Sequence, residues 1–322
     1  MAGRGVGPQG RPPAGPSPSR GVDPTLRPHL ALLARCRFPS PGTPVTAAVS
    51  GGADSLALLV LAVAAGLDVT AVHVDHGLRP GSAAEADVVR AAAEGLGAGF
   101  RAARVVVPPG PDLEARARAA RRGVLPADAM TGHTADDQAE TVLLHLLRGT
   151  GPDGLGGMRI GPRKPLLDLR RSETRVVCHQ AGLEPVVDPS NADPAFRRNR
   201  VRHEVLPLLD EVAGRDVVPL LARAAALAAQ EAELLDAQAA ALDPLDAAAL
   251  AAAPLPLARR ALRRWLTEAD PPYPPSAAGL ERVLAVVRGE AVATEVGGGL
   301  RVARTGRRLR LERAGPRRDA GG

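Results

Sequence analysis

Short apolar runs alternate with segments of helical periodicity from Val45 onward, and this alternation restricts the fold more than any other feature. Strands that alternate with helices form a parallel sheet covered on both faces, because each helix returns the chain to the same edge. Ligands of such sheets bind beyond the carboxyl ends of the strands. The sequence therefore predicts an α/β domain with its site at that edge. The apolar runs lie at 45–49, 69–74, 105–107 and 129–131, and the helical segments at 56–63, 82–96, 113–122 and 135–147.

A glycine turn joins the first predicted strand to the first predicted helix. Adjacent glycines allow a sharp turn that exposes backbone N–H groups, and the positive end of the following helix points at whatever occupies it. The turn itself matches neither a Walker sequence nor a dinucleotide-binding sequence. The turn therefore predicts an anion-binding site, and the alternative is a tight strand-to-helix turn with a capping serine. It consists of Ser50, Gly51, Gly52, Ala53, Asp54 and Ser55.

This glycine turn resembles the PP-loop of ATP pyrophosphatases, which cleave ATP between its α and β phosphates. The resemblance implies that the six residues of the turn bind ATP. Two further strand ends carry polar residues, His73 with Asp75 and then His133. Because these strand ends meet at one edge of the sheet, we predict that the three side chains also contribute to ATP binding, for example to adenine or ribose. The alternative for His73 is a structural histidine.

Adjacent acids at the start of the last helical segment predict a metal site. Asp136 and Asp137 fall in the first turn of this helix, where they would also stabilise the helix dipole. Mg²⁺ binds a few carboxylates together with phosphate oxygens. We therefore predict that Asp54 and Asp136 hold Mg²⁺ beside ATP, and the alternative is that both acids only cap the helix.

Composition indicates a two-domain protein with a polyanionic partner. The chain has 322 residues, a net charge of +6 and a pI of about 10.6. This charge favours association with nucleic acid, although arginine-rich composition accounts for part of it. No apolar stretch is long enough to span a bilayer and no secretory segment is evident, so we expect a cytoplasmic protein that does not enter a membrane. Cys36 and Cys178 form no Cys-x-x-Cys pair and predict neither a disulfide nor a zinc site.

Changes in composition and periodicity along the chain predict its domain organisation. A basic Gly/Pro-rich tail and a leading helix occupy 1–40, the PP-loop domain 41–210, a mainly helical domain with a C-terminal hairpin 211–315, and a tail 316–322. Helices are expected at 213–241, 257–266 and 277–288, and the hairpin at 295–304. The arginines that follow Gly299 form the densest basic stretch, and we predict that they bind RNA phosphates.

Besides the glycine turn, three segments carry distinctive motifs: His73 to Arg79, Gly132 to Thr141, and Asp188 to Asn191 with Arg197 to Pro207. These four separated motifs, in order, resemble those of tRNA(Ile)-lysidine synthetases. The likeness covers roughly residues 41–210. It implies a PP-loop fold and an ATP-dependent ligation of free L-lysine to the wobble cytidine of tRNA(Ile) with a CAU anticodon. The sequence leaves the oligomeric state open, a homodimer included.

The resemblance also implies a two-step reaction and the residues that carry it. ATP adenylates O2 of the cytidine and releases pyrophosphate, and the lysine amine then attacks C2 and expels AMP. Asp54 acts on ATP, and Asp136 or Asp137 is the expected base for the amine. Arginines and a lysine are expected to contact the leaving phosphates or the tRNA, with solvated helix faces as the alternative. These basic residues are Arg118, Arg200, Arg202 and Lys164.

Two other functions compete with this interpretation. A PP-loop enzyme that thiolates tRNA would adenylate a base in the same way, but sulfur delivery normally needs catalytic or cluster-binding cysteines, and Cys36 and Cys178 are poorly placed for this. An RNA-binding protein with a vestigial PP-loop is the second. The intact acids at 54, 136 and 137 argue against it.

Overall fold

The structure is a computed structural model that describes residues 29–75, 82–106, 116, 120, 123–269 and 275–313. The chain forms two compact units. The first unit comprises the residues up to Ala135 and Ile160–Ser190, and the second comprises Asp136–Arg159 and the residues from Asn191 onward.

The described elements alternate between strands and helices before becoming mainly helical. The strands are β1 (Pro44–Ala48), β2 (Asp68–Asp75), β3 (Gly99–Arg104), β4 (Met130–Thr131), β5 (Ala293–Gly297), β6 (Leu300–Thr305) and β7 (Arg308–Arg313). The helices are α1 (Leu30–Leu33), α2 (Ala53–Ala64), α3 (Ser82–Gly95), α4 (Ala135–Leu146), α5 (Pro152–Leu155), α6 (Arg171–Gln180), α7 (Arg197–Arg200), α8 (Leu206–Ala213), α9 (Val218–Ala240), α10 (Ala247–Ala252), α11 (Leu255–Ala269) and α12 (Ala277–Arg288). A 3₁₀ turn spans Pro189–Ala192, and a π-helical turn spans Val201–Val205.

A parallel sheet forms the centre of the first unit and confirms the predicted fold class. Its strand order is β3-β2-β1-β4, and all its pairs are parallel. Helix α2 is apolar on nearly every side, and its leucines from Leu56 to Leu61 are fully buried. Helix α6 packs against α2 and closes the core with Val177. The glycine turn therefore lies between a central strand and a buried helix.

The third strand lies earlier in the chain than the sequence predicts. The apolar run at 105–107 predicts a strand, but β3 ends at Arg104 and Val106 is 86% exposed. Val105 only donates a backbone hydrogen bond to the carbonyl of Asp75, at 2.8 Å. Since β3 is an edge strand, most of its side chains face solvent and carry no apolar pattern.

The second unit contains a helical core closed by an antiparallel sheet. Helices α11 and α12 pack with β6 and β7 through the fully buried Leu262, Val283 and Val302. The helix predicted at 213–241 is interrupted, because Gly214 adopts φ 64° and ends α8. The predicted hairpin is present as β5 and β6, and a third strand that the sequence analysis did not predict, β7, pairs with β6. None of the helices in the described ranges is long and apolar enough to cross a membrane.

Candidate active site

The glycine turn is closed by its own serine hydroxyls. Gly51 has φ 88°, which favours glycine, and α2 begins directly after Gly52. Ser55 donates from Oγ to the carbonyl of Gly52 at 2.8 Å and accepts from the backbone N–H of Ser50 at 3.1 Å. Within the described ranges, no hydrogen bond uses the N–H groups of Gly51, Gly52 or Ala53. These groups and the start of α2 form a site for an anion.

Two neighbouring segments of the first unit contact this turn. The backbone N–H of Val186 donates to the carbonyl of Gly51 at 2.9 Å. Gly132 approaches so closely that a Cβ built on it would lie 2.4 Å from the carbonyl oxygen of Asp54. The His133 segment therefore lies directly beside the glycine turn, as the shared strand edge predicts.

The carboxylate of Asp54 is bound by helix α6. Its Oδ2 lies 3.3 Å from Nε of Arg171, and its Oδ1 accepts a hydrogen bond from the hydroxyl of Thr174. Arg171 and Asp54 are 17% and 25% exposed, and Thr174 is fully buried. Sequence reasoning missed Arg171 and Thr174 as partners of Asp54. The buried positions Thr174, Val177 and Cys178, spaced three and four residues apart, are the signal that would have indicated this helix.

His73 lies in the core rather than at the surface of the site. It is 2% exposed, and its Nδ1 lies 3.0 Å from the carbonyl of Val49, the residue before the glycine turn. This contact ties β2 to the end of β1. Asp75, at the end of β2, is 18% exposed and lies 4.0 Å from Nε of Arg104. The roles of His73 and Asp75 in binding ATP stay predictions.

His133 and Lys164 both belong to the first unit. Nδ1 of His133 lies 2.8 Å from the hydroxyl of Thr131, at the end of β4. Lys164 is partly buried, and its backbone N–H donates to the carbonyl of Gly161 at 2.9 Å. Their contacts with ATP and tRNA stay predictions, as does the role of Arg118, which lies outside the described residues.

A buried cluster of opposite charges lies in the second unit. The fully buried carboxylate of Glu140 accepts from Nε of Arg198 at 2.6 Å and from Nε of Arg202 at 2.7 Å. Nη2 of Arg198 also lies 3.3 Å from Asp137. Arg202 is therefore held by acids of helix α4, and Glu140 and Arg198 are members of the cluster that sequence reasoning missed. The sequence did contain a signal for Glu140, because it follows Asp137 by one helical turn and the two acids are therefore neighbours on α4.

The two remaining predicted residues differ in their surroundings. Arg200 forms an exposed ion pair with Glu204 at 2.8 Å, one turn further along the chain. Asp136 lies in the first turn of α4 and belongs to the second unit, whereas Asp54 belongs to the first. The described residues contain no group of three or more His, Cys, Asp or Glu side chains arranged for a metal ion. The magnesium pair stays a prediction.

Comparisons with known proteins agree with this arrangement. The chain matches the PP-loop domain family over residues 31–209 and the TilS substrate binding domain family over residues 245–313. A tRNA(Ile)-lysidine synthase of Rhodococcus erythropolis is 46% identical over 244 residues, which cover 70% of this chain and 74% of that protein. The chain belongs to the tRNA(Ile)-lysidine synthase family.

Other relatives extend the agreement. A tRNA(Ile)-lysidine synthase of Salinispora tropica is 42% identical over 326 residues, covering 88% of this chain and 96% of that protein. Among solved structures, the U34-tRNA thiolase NcsA of Methanococcus maripaludis superposes with a TM-score of 0.51 at 16% identity, covering 62% of this chain and 77% of that one. This likeness shows the shared PP-loop fold.

Packing explains the glycines of the segment from Gly154 to Met158. Gln138 donates from its amide to the carbonyls of Gly156 and Met158 and accepts from the N–H of Met158 at 2.8 Å. Gly157, with φ 58°, has no room for a Cβ beside this amide. The glycines of this segment therefore allow the chain to wrap around a buried glutamine.

Proposed function

We propose that the protein ligates L-lysine to C2 of the wobble cytidine of tRNA(Ile) with a CAU anticodon, forming lysidine. The proposal rests above all on the membership of the tRNA(Ile)-lysidine synthase family. The PP-loop binds ATP, because its free N–H groups and the start of α2 favour the polyphosphate. The first unit carries this ATP chemistry, with Ser50 and Asp54 acting on the nucleotide.

The reaction requires two steps because C2 of cytidine is a poor electrophile. Transfer of the adenylyl group to O2 releases pyrophosphate and provides AMP as a leaving group. The lysine amine then forms the bond to C2 as the bond from C2 to the adenylated oxygen breaks. An amine with a pKa near ~10.4 costs roughly 4–5 kcal/mol to deprotonate at pH 7. A carboxylate base, Asp136 or Asp137, offsets part of this cost.

Magnesium and the tRNA contacts are further parts of the proposal. Asp54 and Asp136 offer the oxygen ligands that Mg²⁺ prefers, and the ion would compensate phosphate charge when bound. The tRNA is bound by the mainly helical region from residue 211 to 315, which includes the segment that matches the TilS substrate binding domain family. Arg118, Lys164, Arg200 and Arg202 are candidates for contacts with phosphates. A cytoplasmic location follows from this function.

Nucleoside analysis tests the proposal directly. Purified protein is incubated with ATP, L-lysine and tRNA(Ile) bearing a CAU anticodon, and the digested nucleosides are measured by mass spectrometry. We expect a nucleoside with the mass of lysidine that depends on all three substrates. A tRNA with a different anticodon is the control. Absence of this nucleoside, together with absence of tRNA-dependent exchange between ATP and pyrophosphate, would contradict the proposal.

The alternative of tRNA thiolation is tested in the same samples. Cys36 and Cys178 are both buried, so neither is exposed to accept or deliver sulfur. Labelled sulfur that enters the tRNA, with no lysidine formed, would favour the thiolating activity.

A further inference from the structure

Helix α6 and the glycine turn meet at the carboxylate of Asp54. Arg171, the first residue of α6, places Nε 3.3 Å from Oδ2, and Thr174, one turn later, donates its hydroxyl to Oδ1. Both oxygens of Asp54 are therefore engaged by a single helix. All three side chains belong to the first unit.

The position of Asp54 creates an electrostatic problem for a site that binds polyphosphate. Asp54 lies in the first turn of α2, two residues after Gly52. A carboxylate this close to a triphosphate repels it and competes with it for the positive end of the helix. The side chain of Arg171 is largely buried, at 17% exposure, and so its charge is less screened than that of a surface arginine.

Helix α6 is itself firmly anchored. Glu173 accepts from the backbone N–H of Arg170 at 2.7 Å and forms an ion pair with Arg35. Farther along the helix, the thiol of Cys178 donates to the carbonyl of Ala53 at 3.2 Å. A helix held at several points can fix the orientation of a side chain that it contacts.

We propose that Arg171 and Thr174 are positioning residues for Asp54, and that Arg171 compensates the charge of Asp54 so that ATP binds beside it. This inference rests on the proposed function, since it assumes that the glycine turn binds ATP. Thr174 fixes the orientation of the carboxylate, and Arg171 sets the net charge beside the phosphates. Neither residue has to touch ATP for this role.

A charge series on ATP affinity tests the role of Arg171. ATP binding is measured by calorimetry in EDTA, so that no metal ion contributes. The summed charge of Asp54 and Arg171 is zero in the native protein, negative in Arg171→Gln, positive in Asp54→Asn and zero again in the double variant. We expect Asp54→Asn to bind ATP most tightly, Arg171→Gln to bind about tenfold more weakly than the native protein, and the double variant to regain near-native affinity.

The pattern separates an electrostatic role from a structural one. Arg175→Gln is the matched control, because Arg175 lies one turn further along α6 and is exposed. If Arg171→Gln merely damaged the helix, Asp54→Asn would not restore affinity in the double variant. Equal ATP affinities of the native protein and the three variants would overturn the inference. If the native protein still forms lysidine, the proposed function would remain intact. A native protein that binds no ATP and forms no lysidine would instead contradict the proposed function.

A second pair of variants tests Thr174 without changing charge. Thr174→Val keeps the shape of this fully buried side chain and removes the hydroxyl, whereas Thr174→Ser keeps the hydroxyl. We expect Thr174→Val to lower the rate of tRNA-dependent ATP–pyrophosphate exchange about tenfold with a near-native melting temperature. Thr174→Ser should restore most of the rate. Equal rates in the valine and serine variants would contradict the role of the hydroxyl.

Discussion

At the scale of single residues, Gly132 shows why the site needs a residue without a side chain next to the PP-loop. A Cβ at this position would lie 2.4 Å from the carbonyl oxygen of Asp54 and 2.7 Å from its carbonyl carbon. Both contacts are with backbone atoms, which cannot rotate away as a side chain can. Any other residue would therefore displace either the glycine turn or the end of β4.

We predict that Gly132→Ala destabilises the protein by about 1–3 kcal/mol, the usual cost of overpacking, and weakens ATP binding. Thermal unfolding and calorimetry with ATP measure the two effects. Gly95→Ala is the control, because Gly95 ends helix α3 and a Cβ there meets no atom within 4 Å. A Gly132→Ala variant with native stability and ATP affinity would mean that the backbone of the glycine turn can shift to accept a Cβ at little cost.

The two cysteines provide a second prediction at this scale. Burial raises the pKa of the Cys178 thiol to about 11 and that of Cys36 to about 12. With such values only about a thousandth of the Cys178 thiol is ionised at pH 8, and the thiolate is the reactive form. We expect iodoacetamide to modify neither cysteine in the folded protein at pH 8, and both in urea. Rapid modification of the folded protein, read by mass spectrometry, would contradict this.

At the scale of elements, helix α6 depends on an acid near its start. Burial opposes ionisation of Glu173, but hydrogen bonds from the Arg35 side chain and the Arg170 backbone outweigh it and lower the pKa. A lowered pKa in the folded state stabilises the fold above the unfolded pKa of 4.5, and this contribution is lost as the pH falls through the lower folded value.

We therefore predict that Glu173→Gln loses stability at pH 7 and that its deficit relative to the native protein shrinks as the pH falls below 4.5. Urea unfolding at a series of pH values measures this. Asp87→Asn, which removes the partner of Arg90 in an exposed pair on α3, is the control and should change stability little. A deficit that stays constant with pH would show that the charge of Glu173 does not matter.

Local periodicity predicted the helices that pack through a single apolar face. Helix α12 is found where the sequence places it, and α3 and α4 end within one residue of their predicted ends, because their apolar positions repeat at helical spacing. Strand β3 was misplaced because an edge strand needs few apolar residues. The spacing of its buried positions could have indicated helix α6, but its role depends on contacts with Asp54, which is more than a hundred residues away. No local pattern contains such a contact.

At the scale of the whole molecule, the arginine-rich C-terminal region is a folded part of the second unit. Val302 and Leu309 of β6 and β7 are buried in its core. Arg304 donates to the carbonyl of Val287 at 2.5 Å, and Arg308 pairs with Asp243 at 2.7 Å. Deleting the chain after Leu300 would therefore remove core residues, and a loss of tRNA binding in that truncation would not identify phosphate contacts.

Point substitutions can separate binding from folding in this region. Arg301 and Arg313 are exposed strand residues whose side chains make no hydrogen bond or ion pair within the described part of the chain. Because neither side chain is held in an ion pair within the described residues, both can contact an RNA backbone, although Arg301 lies opposite Glu295 and Glu312 in the sheet. Each phosphate contact releases counterions, and its loss reduces the salt dependence of binding.

We predict that the double variant Arg301→Gln with Arg313→Gln binds tRNA more weakly and lowers the slope of log affinity against log salt concentration by about 1–2, with unchanged ATP binding. Filter binding at several salt concentrations measures the slope. The control replaces Arg90 and Arg101 of the first unit by Gln and removes the same net charge. An equal reduction in slope for both double variants would mean that only the overall charge of +6 attracts tRNA. An unchanged slope in the Arg301 and Arg313 variant alone would mean that the tRNA contacts lie elsewhere in the molecule.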